Sequence, residues 1–168
     1  MADFLVMVDV QRNMLRPPTP VPEADEVESA LTRLLARARG AGAQIVHVRN
    51  NGGTGDPDEI GTPGWELVHD VDGGEHILDK DEADAFARTG LADLVPPGSR
   101  LVVAGMQSEY CVRATVLSGL RRGHSVVLAS GAHATYDDGE DAAAISRRVE
   151  AELAAAGAEI TPHARIFF

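Results

Sequence analysis

The sequence predicts an open, mostly parallel α/β sheet with helices on both faces, a three-layer architecture in one domain over residues 1–168. Three observations predict it. Short apolar runs of strand length alternate along the chain with longer segments whose apolar residues recur at helical spacing. The runs are continuous rather than alternating, as in strands covered on both faces. A chain of 168 residues with 44% hydrophobic content also has the length and composition for one full core.

Phe4-Leu5-Val6-Met7-Val8 is the first run, and it stops at Asp9, leaving an acid at a strand's carboxyl end with Gln11 just beyond. Pro17, Pro18, Pro20 and Pro22 make a rigid connection to a helix whose face is Val27, Ala30, Leu31, Leu34, Leu35 and Ala38. Gly40 and Gly42 close that helix, and a second strand follows over 44–48. From 50 to 74 the pattern breaks into glycine, proline and acidic residues around Trp65, as in a functional or mobile loop that Trp65 anchors. A short third strand over 75–78 leads to Asp79-Lys80. Phe86 reads as an apolar plug, 90–95 as a short helix, and 100–104 as the fourth strand. A helix is expected from Cys111 to Arg121 or Arg122, then a fifth strand over 124–130 and a loop over 131–137 carrying His133. A long amphipathic helix over 138–156 and a short strand near 159–161 complete the chain.

The stretch Gly105-Met106-Gln107-Ser108-Glu109-Tyr110-Cys111-Val112-Arg113-Ala114-Thr115 carries the one cysteine of the chain, at the turn from the fourth strand into a helix. In a first helical turn, free backbone amides and the macrodipole favour a thiolate over a thiol. Such a cysteine is either a nucleophile or a small buried hydrophobe. In an open parallel sheet, ligands bind beyond the carboxyl ends of the strands. Asp9, Lys80 and Cys111 stand at three such ends and are expected to converge. An ordinary thiol, with a pKa of about 8.5, needs a base or a neighbouring cation to act at neutral pH. Asp9 supplies the first and Lys80 the second.

Composition narrows the function. A net charge of -11, with 15 scattered basic residues, argues against nucleic acid as a partner. No apolar stretch reaches membrane-spanning length, the start of the chain lacks a leader pattern, and the lone cysteine fits a reducing cytoplasm. Neither Gly52-Gly53-Thr54-Gly55 nor Asp137-Asp138-Gly139-Glu140-Asp141 has the spacing of a phosphate or calcium loop; the latter reads as the acidic start of a helix.

Three motifs resemble those of the isochorismatase-like cysteine hydrolases, the superfamily of nicotinamidases, carbamoylsarcosine amidohydrolases and streptothricin hydrolases. They are Val8-Asp9-Val10-Gln11, Leu78-Asp79-Lys80 with Ala85-Phe86 and Thr89-Gly90-Leu91, and the 105–115 stretch. The resemblance spans nearly the whole chain. It implies a Rossmann-like hydrolase fold, an Asp9, Lys80, Cys111 triad, and a cis peptide between Met106 and Gln107 that turns the Gln107 and Cys111 amides toward an oxyanion. It also implies a homodimer or larger assembly, and C–N cleavage of a small amide, lactam or ureido compound. Gln11, Trp65, Phe86, Tyr110 and His133 are the candidate pocket residues. Nicotinamidases carry an aspartate and histidines after the second strand that bind a metal. Here that place reads Arg49-Asn50-Asn51-Gly52-Gly53, so neither metal nor other cofactor is expected, and the similarity leans toward the streptothricin-hydrolase branch. The competing reading is a non-catalytic member that binds a small molecule or uses Cys111 as a redox sensor.

Overall fold

The computed structural model describes residues 3–168. Six strands form one parallel sheet: β1 (Asp3–Val8), β2 (Gln44–Asn50), β3 (His76–Lys80), β4 (Arg100–Met106), β5 (Ser125–Ala134) and β6 (Glu159–Pro162). Their order is β3-β2-β1-β4-β5-β6. The chain builds outward from β1 through β2 to β3, then returns to lay β4 on the other flank of β1. That reversal opens a crevice at the carboxyl ends of β1 and β4.

The period of two along each strand divides the core into two layers. Leu5, Met7, Ile45, Val102, Ala104 and Val127 face α2 (Ala24–Ala41), whose Leu31, Leu34 and Leu35 are almost wholly buried. Phe4, Val6, Val8, Val46, Val103 and Leu128 face the other way, against α4 (Arg113–Arg121) and α5 (Ala142–Ala155) through Val116, Val149 and Leu153. Two one-turn helices add to these layers, α1 (Arg12–Leu15) to the first through Met14 and Leu15, and α3 (Leu91–Leu94) to the second through Leu91. No helix among the described residues is long and apolar enough to cross a membrane.

The structure departs from the sequence reading in four places. Gly105 does not end the fourth strand: it sits inside β4, opposite Val8, where an added Cβ would lie 1.9 Å from the Val8 carbonyl oxygen. Its φ is also +120°. Gly105→Ala is therefore expected to cost ~3 kcal/mol or more, read as a fall in Tm of about 6–12 °C by calorimetry; an unchanged Tm would show that the two strands can separate freely. The segment 131–134 is not loop. β5 continues through it because the β4 pairing shifts register between Val103 and Gly105, so that Gly105 meets His133 across a bulge. The long helix starts at Ala142 rather than 138. Asp141 accepts the Ala144 N–H at 2.7 Å and Asp137 the Ala142 N–H at 2.8 Å, so these acids cap the helix from outside it. Finally, Cys111 lies in a π-helical turn, Ser108–Val112, that precedes α4.

Candidate active site

Four strand ends meet in the crevice. β1 delivers Asp9, β2 Asn50, β3 Lys80, and the turn after β4 Cys111. The Lys80 side chain is 0% exposed and that of Asp9 1%. Burying a charge is costly unless it is paired, and the Lys80 ammonium is fully paired. Its Nζ lies 3.1 Å from Asp9 Oδ2, donates to Asn50 Oδ1 at 2.9 Å and to Cys111 Sγ at 3.3 Å. The ammonium thus donates two hydrogen bonds and pairs in charge with the carboxylate.

Asn50 is held in turn by Gln11. The Gln11 Oε1 accepts the Asn50 backbone N–H at 2.8 Å, while its Nε2 donates to the Asn50 carbonyl at 3.0 Å and the Trp65 carbonyl at 2.9 Å. Asn50 Nδ2 donates to Asp58 at 2.7 Å. Among the described residues, no donor other than Lys80 and the thiol reaches the Asp9 carboxylate. Burial therefore pushes its pKa up to about 6, against the pull of the Lys80 ammonium and the thiol hydrogen bond. Burial, and then the Asp9 carboxylate beside it, push the Cys111 thiol up to about 12 despite Lys80.

That electrostatic balance corrects one expectation. Burial and a neighbouring anion outweigh one cation, so the Cys111 environment favours the thiol, where a helix end alone would favour the thiolate.

The peptide between Met106 and Gln107 is cis. Beyond it, the Gln107 carbonyl accepts the N–H groups of both Tyr110 and Val112, at 3.2 Å each, passing over the Cys111 amide between them. A cavity of about 440 Å³ opens on the site, and Asp9, Asn50, Asp58, Gln107, Tyr110 and Cys111 are among the residues lining it. That is room for a small molecule.

Of the expected pocket residues, only Tyr110 lines this cavity, with 54% of its surface exposed. Gln11 is fully buried behind Asn50 and acts on the site through it. Trp65 anchors its loop: Arg49 lies 3.5 Å over its ring and its Nε1 donates to Asn51 at 3.0 Å. Phe86 belongs to the core, stacked on His124 with Arg122 above it. His133 points into a buried network, 2.8 Å from Ser108 Oγ through Nδ1 and 3.0 Å from Glu150 through Nε2. The bulge in β5 explains this, since it keeps His133 on a strand rather than in a pocket loop. Asn50 is the site residue that sequence reasoning missed. Reading the second strand as ending at Val48 hid its position at a fourth strand end.

A buried lysine, carboxylate and cysteine meet at the switch point of a parallel α/β sheet, where folds of this kind bind their ligands. A model of the isochorismatase domain matches residues 3–164, and the chain belongs to this family. It is 44% identical over 172 residues to a streptothricin hydrolase of Streptomyces noursei, an alignment covering 95% of this chain and 68% of that protein. A crystal structure of an isochorismatase from Pseudomonas putida superposes with a TM-score of 0.88 at 27% identity, covering 98% of this chain and 90% of the other. A pyrazinamidase of Pyrococcus horikoshii in complex with zinc gives 0.82 at 26% identity, over 96% of this chain and 99% of that one.

The zinc in that neighbour raises the question of a metal here. Asn50 and Asn51 occupy the segment after β2, and both side chains are engaged: Asn50 with Lys80 and Asp58, Asn51 with Trp65 and Asp81. Among the described residues, no three His, Cys, Asp or Glu side chains converge on one point. Neutral amides already committed to hydrogen bonds make a poor donor set, and the site does not fit a resident transition metal.

Proposed function

We propose that the chain is a metal-independent cysteine hydrolase that cleaves the C–N bond of a small amide, lactam or ureido compound through a thioester on Cys111. The observation that carries this reading is the buried contact of Lys80 with both Asp9, at 3.1 Å, and Cys111, at 3.3 Å. As Sγ attacks the substrate carbonyl carbon, the thiol proton passes to Asp9 and the carbonyl oxygen takes the negative charge. The Gln107 and Cys111 amides are the donors for that oxyanion, each worth about 3 kcal/mol in such a role. When the tetrahedral adduct collapses, the C–N bond breaks and Asp9 returns its proton to the leaving nitrogen. Asp9 then takes a proton from water, whose oxygen attacks the thioester; the C–S bond breaks, and Asp9 passes that proton to the departing Cys111 sulfur. Lys80 stays an ammonium throughout and offsets the carboxylate and the developing charge. The streptothricin hydrolase relative supports the bond class, and a buried carboxylate beside the thiol, placed to take its proton, favours catalysis over redox sensing.

The test is a screen of small amides, lactams and ureido compounds for release of amine, with mass spectrometry of quenched enzyme for an acyl adduct on Cys111. Turnover without any such adduct would remove the thioester. Prior treatment with EDTA should leave kcat/KM within about twofold; loss that zinc restores would show a metal at work.

The acid side of the pH profile is fixed by Asp9. Ionised above about pH 6, it accepts the thiol proton; protonated below, it does not. We expect kcat/KM to be level above that point and to fall about tenfold per pH unit below it. A flat profile down to pH 5, with the fold intact by circular dichroism, would rule out Asp9 as the base.

A further inference from the structure

The catalytic cavity continues beyond its own rim. Asn13, Thr19 and Pro57 line both it and a second cavity of about 940 Å³, so the two spaces adjoin along a neck of these residues. The outer space runs between two segments: α1 with the prolines that follow it, and the loop over 55–68. Pro17 and Pro18 line it from the first segment, Pro63 and Gly64 from the second. Backbone hydrogen bonds stitch the two together, from Arg12 N–H to the Glu66 carbonyl at 2.9 Å, Asn13 N–H to Gly64 at 3.0 Å and Val68 N–H to Val10 at 3.0 Å. The groove is therefore built into the fold before any ligand arrives, which spares the ligand the cost of ordering it.

Its chemistry is restrictive. The charged groups along it already have partners: Arg16 donates to Glu28, Arg12 lies 3.3 Å from Glu66, and Asp56 accepts the Gly53 N–H at 2.8 Å. Beside Thr19 and Thr62, the rest is largely proline ring surface, which is apolar, rigid and free of N–H donors. Such a wall favours an uncharged molecule with flat or ring-shaped parts. At the neck, Asn13 Oδ1 is closed off from water and has no hydrogen-bond partner among the described residues. A buried acceptor without a donor is costly, and a ligand N–H at the neck would relieve it once the half-buried Asn13 side chain turns Oδ1 toward the cavity.

Resting on the hydrolase reading and extending it to substrate class, we infer that the substrate is a two-part amide. Its compact carbonyl end enters the Cys111 cavity, its uncharged, ring-bearing remainder lies along the proline groove, and Asn13 accepts an N–H from the link between them. Asn13 is thus a specificity-determining residue at the boundary of the two subsites.

Binding to the Cys111→Ala variant, followed by ligand-detected NMR titration, tests this without turnover. The compact probe is N-acetylglycinamide and the extended one is N-benzoylglycylglycinamide. The extended probe should bind at least tenfold more tightly. Adding Pro63→Trp, on the exposed outer wall, should weaken the extended probe at least fivefold and leave the compact one unchanged; Asn13→Ala, at the neck, should weaken the extended probe at least fivefold more than the compact one. Equal affinities for the two probes would overturn the proposal. So would indifference of the extended probe to both substitutions, or equal weakening of both probes by either one. If the wild-type protein hydrolyses no amide while the binding preference persists, the groove stands and the hydrolase reading alone is lost.

Discussion

Cys111→Ala is expected to lower amide turnover by about 10⁴-fold or more, to the background left by binding and the oxyanion donors, with the fold retained. The expected size follows from the role of the sulfur. It forms the covalent bond in the first half-reaction, and no other thiol exists in the chain to replace it. Retention of the fold follows from the surroundings. The cysteine is only partly buried and lines the cavity, so its truncation enlarges an existing space instead of opening a void in the core. Initial rates on the amide released in the screen, together with a thermal melt, check both halves. A rate within tenfold of wild type in a correctly folded variant would end the nucleophile assignment.

Lys80→Met is expected to reduce kcat/KM about 10³-fold and, unlike the cysteine variant, to destabilise the protein by roughly 3–5 kcal/mol. The methionine fills a similar volume but removes the cation. The Asp9 carboxylate is then left in the interior without its ion pair, and Asn50 Oδ1 without its donor. The sign of the pH dependence is fixed by the same loss. Lys80 is what lowers the Asp9 pKa against burial, so without it the carboxyl titrates above 6. The folded protein then holds that proton more tightly than the unfolded chain, whose aspartate titrates near 3.8. Stability relative to wild type should accordingly be best in acid and decline as pH rises through and beyond 6. The acid limb of any residual activity should move to higher pH. A variant with unchanged melting and an unmoved limb would show that Lys80 does not face Asp9 in solution.

How much of this was legible in the sequence depends on the scale of the interaction. β1, β2 and β4 are visible because strands covered on both faces must be continuously apolar, and Asp9 and Lys80 stand out because a charge at the end of such a run has few other uses. The nucleophile turn is visible as the change from a strand-like run to helical spacing after Gly105. Helix starts and strand ends were less legible. The extension of β5 depends on a bulge against β4, a pairing between residues about thirty apart that leaves no local trace. Gly105 was mistaken for a terminator because turn chemistry and close approach of a neighbouring strand both select glycine. Phe86, Trp65 and His133 are the kinds of residue that line pockets, but side-chain direction here is set by Arg122, Arg49 and Glu150, partners supplied only by the tertiary fold. Asn50 and Asn13 carry no charge and follow no motif, so they acquire meaning only from what surrounds them.

Lys80 belongs to β3, the strand at one margin of the sheet, which pairs with β2 alone. Its outer side chains are exposed, Ile77 at 44% among them. The site therefore has the local stability of a sheet margin, not that of the core on which Asp9 and Cys111 are mounted. If β3 peels away, β1 keeps both of its neighbouring strands while Asp9 and Cys111 lose the ammonium that unites them. Inactivation and unfolding are then separate events, and catalytic competence is a gauge of how firmly one peripheral strand is fastened.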